Sequence, residues 1–230
     1  MNIQNAIILC AGFGKRVLPL TKSTPKPLLK ISNMHLLSYS IKFLKEIGVK
    51  NIAINTHHLA NQISDYVDKF DNNIKIFHEK KILDTGGALV NAKDFFTEDN
   101  FIVMNSDTIW QKEYVSNFNT MKKKYFDMKA DGALLLSTKE LSFDKRLPCD
   151  FDLDEQGLIL NNPKNYIFTG CQILNKKVLK NKDKSFFSVR EIWDDLISKQ
   201  KLIGEKHNGR FLHVTDFEIY NNLSREKIIY

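Results

Sequence analysis

Cysteine, arginine and long apolar runs are all scarce in this 230-residue chain. Only Cys10, Cys149 and Cys171 are present, an odd number with no C-x-x-C spacing. That excludes a disulfide framework, and Cys10, inside an apolar strand pattern, reads as a buried reduced thiol. The one early apolar run, Ala6-Ile7-Ile8-Leu9-Cys10, is far too short to span a membrane, and no basic segment precedes it to form a signal peptide. A cytoplasmic protein with no membrane partner is therefore expected. Five arginines stand against 29 lysines and 21 asparagines, a skew that AT-rich codon usage explains as readily as a polyanionic partner. The excess of 34 basic over 27 acidic residues gives +7, but it is scattered. Lys80-Lys81 and Lys122-Lys123-Lys124 are the densest runs and read as solvated faces. With no basic stripe interleaved with aromatics, no nucleic-acid partner is expected. Repeats, low-complexity tracts and linker-like stretches are also missing.

What is present suits a single α/β domain, large enough to bury a core without staples. Ala6–Cys10 is a short continuous apolar run, as in a strand covered on both faces. Leu36, Leu37, Ser40, Ile41, Leu44 and Ile47 recur at helical spacing, and Gly48 is placed to end that helix. Strand and helix signals then alternate: strands at Ile52–Ile54, Ile74–Phe77 and Phe101–Met104, helices at Ala60–Phe70 and Gly87–Phe95. This alternation predicts a Rossmann-like, mostly parallel sheet with helices on both faces. Beyond Asp107 the rhythm turns mixed. Gly132–Ser137 and Ile167–Leu174 read as strands, Phe151–Leu153 and Leu158–Leu160 flank a Gln156-Gly157 turn, and Ser188–Lys199 is helical. Asn208-Gly209 between Leu202–Glu205 and Phe211–Val214 predicts a two-residue hairpin.

The loop after the first strand is the informative segment. It runs Leu9-Cys10-Ala11-Gly12-Phe13-Gly14-Lys15-Arg16 and continues through Pro19-Leu20-Thr21 to Pro25-Lys26-Pro27-Leu28. Two glycines spaced by one residue let the backbone approach a ligand and turn its N–H groups inward. Lys15, Arg16 and Lys26 add positive charge, and the flanking prolines hold Lys26 in place. The loop sits at the carboxyl end of a strand, where open α/β sheets bind ligands. Neither the dinucleotide fingerprint nor the Walker loop is matched.

This string resembles the N-terminal signature of sugar-1-phosphate nucleotidylyltransferases, L-x-A-G-x-G-x-R-x-x-P-L-T-x-x-x-P-K-x-L, at every fixed position. The likeness continues through Leu83-Asp84-Thr85-Gly86-Gly87-Ala88, similar to the family's base-contacting turn, and Asn105-Ser106-Asp107, similar to its metal-binding element. Cys149-Asp150-Phe151, Phe168-Thr169-Gly170 and Phe211–Phe217 fall where the acceptor half lies. The resemblance spans nearly the whole chain, densely before residue 110 and thinly after it. It implies transfer of a nucleotidyl group from an NTP to a sugar 1-phosphate, with Mg²⁺ as cofactor and pyrophosphate as the other product. It divides residues 1–230 into a nucleotide half (1–110) and an acceptor half (111–230), with no room for a C-terminal β-helix, in a monomer or homodimer.

Carried over residue by residue, the resemblance puts Ala11, Gly12, Gly14, Lys15, Arg16, Gly86, Gly87 and Asn105 on the nucleotide. Arg16, Lys26 and Asp107 become the catalytic set, with Asp107 the metal ligand. Asp150, Thr169 and Gly170 become candidates for the sugar. Two departures stand out. The family's W-x-D-x-G-T run is Phe211-Leu212-His213-Val214-Thr215-Asp216 here, so His213 replaces the second metal carboxylate. Mg²⁺ prefers oxygen; His213 touching phosphate, Asp216 reaching in, or Asp107 with water all stay open, as does an N-cap role for Asp216. The acceptor-gripping E-K-P triplet is Asn161-Asn162-Pro163, with Lys164 displaced. His57-His58 is no metal pair, because adjacent residues on an extended segment point opposite ways. UTP is the first expected donor and GTP the second. Alternatives are a cytidylyltransferase using a non-sugar phosphate such as phosphocholine, and a nucleotide-binding regulator without turnover.

Overall fold

The computed structural model describes residues 3–71, 73–162, 164–183 and 185–228. In chain order its strands and helices are β1 (Asn5–Leu9), β2 (Lys30–Ile31), β3 (Met34–His35), α1 (Leu36–Glu46), β4 (Asn51–Thr56), α2 (Ala60–Phe70), β5 (Lys75–His78), α3 (Asp84–Asn91) and β6 (Asn100–Asn105), followed by α4 (Glu113–Asp127), β7 (Gly132–Ser137), β8 (Asp152–Leu153), β9 (Ile159–Leu160), β10 (Ile167–Asn175), α5 (Arg190–Ser198), β11 (Leu202–Lys206) and α6 (Phe217–Arg225). Seven strands form one sheet in the order β11-β7-β10-β6-β1-β4-β5. β1 pairs in parallel with both β4 and β6, while β10 runs antiparallel to its neighbours β6 and β7. The expected mostly parallel, mixed α/β sheet is what the chain forms.

Alternation along β1 explains the two layers. Ala6 and Ile8 enter one core with Leu37 and Ile41 of α1, Ile63 of α2, Phe118 of α4 and Leu223 of α6. Ile7 faces the other core, with Leu89 of α3 and Trp193 of α5. Both faces of β1 are thus dry, which is why its sequence is continuously apolar. Gly48 adopts φ +87° where α1 stops, as its placement predicts. No helix among the described residues is long and apolar enough to cross a membrane.

Three sequence expectations need correction. Asn208-Gly209 does not join a hairpin. β11 instead pairs in parallel with β7, and the following segment makes single bridges, Phe211 to Ser142 and His213 to Thr108. Gly209 also lacks the positive φ that a type I′ turn needs. The Gly87–Phe95 helix starts earlier, at Asp84, and breaks into a 3-10 turn at Lys93–Phe95. The helix α4 is absent from the sequence reading, although Tyr114, Phe118, Met121 and Tyr125 recur along it at helical spacing and are buried. The Lys122–Lys124 run hides that stripe. Nor is that run wholly solvated, because Lys124 reaches across to donate to the Gly204 carbonyl at 3.0 Å.

Candidate active site

A cavity of about 470 Å³ opens at the carboxyl ends of β1, β4, β5 and β6. Its lining includes Ala11, Gly12, Gly14, Lys15 and Arg16 from the first loop, together with Lys26, Asn105 and Asp107. Eight of the positions that the resemblance marked therefore surround one space.

The first loop is shaped by its two glycines in different ways. Gly14 takes φ +62°, and a Cβ there would lie 2.8 Å from Thr21 Cγ2. Thr21 Oγ1 in turn donates to the Gly14 carbonyl at 2.9 Å, fixing the turn. Gly12 is different: a Cβ would meet no protein atom within 4 Å, and the residue borders the cavity. The loop's start is tied to the sheet, where Cys10 N donates to Asn55 Oδ1 at 2.8 Å and Ser106 Oγ donates to the Leu9 carbonyl at 2.9 Å. The Cys10 thiol is buried and free, and burial pushes it up to about 12, so it stays protonated as expected.

Opposite the loop, Asp107 follows β6 and its carboxylate is mostly enclosed. Lys26 Nζ donates to Oδ2 at 2.6 Å. Oδ1 is buried with no hydrogen-bond partner, and His213 Nδ1 lies 3.5 Å from it. Burial pushes the carboxyl up; the groups ranged around it, the His213 ring, the Lys26 ammonium that donates to it and the Arg16 guanidinium, pull it further down, to about 2. Burial pushes the His213 imidazole down, and Lys26 and Arg16 add to that against the opposing pull of Asp107, so the ring is neutral at neutral pH. A buried carboxylate with one oxygen on a lysine and the other bare fits a divalent cation shared with phosphate oxygens. Among the described residues no three His, Cys, Asp or Glu cluster as a metal cage, so water and phosphate would fill most positions.

Asp216 is engaged elsewhere. Its carboxylate accepts from Ile219 N at 3.0 Å, capping α6, and from Arg146 Nη2 at 2.7 Å. The N-cap reading of Asp216 is therefore the one the structure adopts. Gly86 and Gly87 also turn away from the cavity. Both N–H groups donate to the Phe187 carbonyl, and a Cβ on Gly86 would strike the Phe187 ring. From that turn it is Asp84 and Thr85 that line the space. Thr169 is spent on the frame: its hydroxyl donates to the Leu135 carbonyl at 2.8 Å and its own carbonyl accepts from Thr108. Gly170, at φ +95°, packs against Asn105, where a Cβ would lie 2.9 Å from Asn105 Cβ. Asp150 accepts from Phe168 N at 2.8 Å; burial pushes its carboxyl up while Arg190 draws it back. Pro163 of the Asn161-Asn162-Pro163 triplet lies outside the described residues.

Sequence reasoning missed several residues. Glu79, just after β5, lines the cavity and is held by Asn55 Nδ2 at 2.8 Å and Leu83 N at 2.9 Å. A buried carboxylate at the end of a parallel strand was the available signal. Arg190 is another: it donates to Asn161 Oδ1 at 2.9 Å and lies over the Phe151 ring. His57 and His58 each face a separate carbonyl, of Glu79 and Thr21.

A glycine loop and three cations, Lys15, Arg16 and Lys26, share this cavity at the sheet's ligand end with the carboxylates of Glu79, Asp84 and Asp107, a constellation suited to phosphate chemistry of the nucleotidyl transferase type. The chain belongs to that family, whose model matches residues 5–141. It is 32% identical to the bifunctional protein GlmU of Methanocaldococcus jannaschii over 90% of this chain and 50% of that one. It is 24% identical to the N-acetylmuramate alpha-1-phosphate uridylyltransferase of Caulobacter vibrioides over 92% of this chain and 91% of its relative. The chain thus spans half the length of the archaeal protein and nearly all of the Caulobacter one. Its fold matches crystalline HddC from Yersinia pseudotuberculosis complexed with GMP-PN, with TM-score 0.76 and 23% identity, covering 96% of this chain and 98% of that one.

Proposed function

We propose that this chain transfers a nucleotidyl group from an NTP to a sugar 1-phosphate, releasing pyrophosphate, with Mg²⁺ as cofactor. One observation carries the reading: Gly12, Lys15, Arg16 and Lys26 converge in a single cavity on Asp107, whose Oδ1 is left without a partner. Bringing an anionic sugar phosphate onto an anionic α-phosphorus needs charge neutralisation and alignment above all. A phosphate oxygen of the acceptor attacks the α-phosphorus in line as the bond to pyrophosphate breaks. The loop N–H groups around Gly12, with Lys15 and Arg16, hold the β- and γ-phosphates that depart. Lys26, fixed by Asp107 and by its prolines, stabilises charge on the transferring group. Mg²⁺ bound at Asp107 supplies further neutralisation of phosphate charge.

The two halves expected from the sequence then divide the work. Nucleoside and phosphates occupy the space beside β1, β4 and β5, and the sugar lies toward Gly170, Asp150 and Arg190. UTP is the first donor and GTP the second. N-acetylmuramate 1-phosphate leads the acceptors, on the likeness to the Caulobacter protein along nearly the full length of both chains.

Pyrophosphate release across four NTPs tests this, against N-acetylmuramate, mannose, glucose and N-acetylglucosamine 1-phosphates and phosphocholine, with Mg²⁺ and with EDTA. Metal-dependent release with one sugar 1-phosphate is the expected result. Release with phosphocholine alone would make the chain a cytidylyltransferase of non-sugar substrates, and bound nucleotide with no release would make it a regulator.

A further inference from the structure

The cavity has two walls of different character. Lys15, Arg16 and Lys26 all come from the segment after β1, whereas Asn55, Glu79, Ile82, Asp84 and Thr85, beside β4 and β5, include no cation. On the nucleotidyl-transfer reading, an NTP sets its phosphates on the first wall and its nucleoside against the second.

Asp84 in the second wall holds φ at +59°, a left-handed conformation that glycine adopts freely and aspartate only at a cost. Such a residue persists where its surroundings fix it from several sides. Thr85 N donates to Asp84 Oδ1 at 2.6 Å, and Leu83 N donates to the buried Glu79 carboxylate at 2.9 Å. The remaining bonds come from a distant strap, residues 185–189, which leads into α5. Phe187 N donates to the Leu83 carbonyl at 3.2 Å, and the Phe187 carbonyl accepts from Gly86 N at 2.9 Å and Gly87 N at 3.2 Å. Val189 N donates to Thr85 Oγ1 at 2.8 Å, across 104 residues of sequence. The strap thus grips the chain on both sides of Asp84.

The Phe187 ring sets how closely the strap lies. It is buried in the second core and rests on Gly86, where a Cβ would overlap it, and a Cβ on Gly87 would overlap the Ser185 carbonyl oxygen. These two glycines make room for the strap. We propose that Phe187 is a positioning residue for nucleotide selection: through the strap it fixes the Asp84–Thr85 wall against which one nucleoside is preferred to another. The inference rests on the nucleotidyl-transfer reading and deepens it. Phe187 does not line the cavity, so its effect passes through the turn. Removing the ring leaves a hole over Gly86, which frees strap and turn to separate and lets Asp84 relax. A wall that is competent only about a tenth of the time weakens the NTP that fits it by about 10-fold, and barely affects one that gains nothing from it.

Calorimetric titration of the full chain with ATP, CTP, GTP and UTP in turn, with Mg²⁺ and no acceptor, tests this. The native chain should bind one NTP most tightly. Phe187→Ala should weaken that NTP by about 10-fold and the poorest by less than about twofold, so that the preference collapses. Phe187→Leu, which refills the space over Gly86, should restore it. Gly87→Ala drives the Ser185 carbonyl off the turn with Phe187 intact; it should give the same collapse, and it covers the case in which Phe187→Ala does not fold. A merely structural role would weaken all four NTPs by one factor, and that result would overturn the proposal. So would a native preference retained in folded Phe187→Ala, or a native chain that binds all four alike. A native chain that binds no NTP would remove the nucleotide site and the proposal together. Collapse of the preference in the variants, with no pyrophosphate released by the native chain, would sink the transfer reading alone.

Discussion

Two ion clusters in this molecule use the same ingredients to opposite ends. At the surface, Arg146 is bonded by the carboxylates of Asp144, Asp216 and Glu218, at 2.8, 2.7 and 2.8 Å. Asp144 also accepts from Arg146 N, and Asp216 caps α6, so every group there is occupied. In the cavity, Lys26 and Asp107 pair at 2.6 Å, but Asp107 Oδ1 is left bare, and Arg16 acts on this carboxylate through its charge. The first cluster ties the segment after β7 to the last helix. The second is incomplete, and an incomplete buried cluster is tolerated where a ligand completes it. Density of charge does not separate the two; satisfaction does.

The sharpest way to break that contrast is Asp107→Asn. It keeps size and a hydrogen-bond acceptor, removes the charge that pairs with Lys26 and that we propose to hold the metal, and should cut pyrophosphate release by roughly 10³-fold with the fold intact by circular dichroism. Retention of more than a tenth of native turnover would place the essential carboxylate elsewhere, with Glu79 the next to test. Lys26→Ala follows. On the proposed role of this ammonium at the transferring group, kcat should fall about 10²-fold or more while nucleotide affinity changes far less. An equal rise in KM with kcat untouched would assign Lys26 to ground-state binding.

How far this contrast was legible in the sequence depends on which half is asked. The glycine loop, Lys26 and Asp107 are contiguous with strands whose apolar runs are unmistakable, so their convergence followed from topology: loops after parallel strands meet at one edge. Gly86 and Gly87 lie off the cavity for a tertiary reason: the Phe187 carbonyl, a hundred residues on, accepts from both N–H groups, the Phe187 ring covers the open face of Gly86 and the Ser185 carbonyl that of Gly87. Asn208-Gly209 failed similarly, because β11 found a parallel partner in β7 that no local pattern announces. Asp216 read both ways until Arg146, seventy residues earlier, was seen to hold it. The second half of the chain is built from such distant pairings, Arg190 with Asn161 and Asp150 with Phe168, and a linear pattern does not encode them.

A third buried group lies between the two clusters in character, and it contributes to acid sensitivity. His207 stacks on Tyr114 with ring centroids 3.7 Å apart and donates from Nδ1 to Asn117 Oδ1 at 3.0 Å, while its Nε2 has no partner. Burial pushes this imidazole down to about 4. An unfolded histidine binds its proton near pH 6.5, so between that value and 4 the unfolded state holds more protons, and stability falls as pH falls. A shift from 6.5 to about 4 corresponds to a loss of about 3 kcal/mol by the time both states are protonated. Urea unfolding at pH 7 and pH 4 measures it, and His207→Gln should flatten the difference. A native chain whose stability is level from pH 7 to 4 would contradict the burial of that ring.

The smallest effect is expected at the surface cluster, and its smallness is what tests the comparison. Arg146→Ala strips three carboxylates of their partner, but the side chain is half exposed and its charges are screened by water. Asp144, almost fully buried, is the one group left worse off, and its carboxyl is held below the usual range chiefly by the Arg146 side chain. The variant should therefore melt at a lower temperature, with the deficit growing as the pH rises through the carboxylate range, while turnover is unchanged. Asp216, freed from Arg146, still has the Ile219 N–H to accept from and no reason to swing toward Asp107. If Arg146→Ala instead altered metal affinity or kcat, the satisfied cluster would be part of the site, and hydrogen-bond satisfaction would have failed as the mark that separates scaffold from chemistry here.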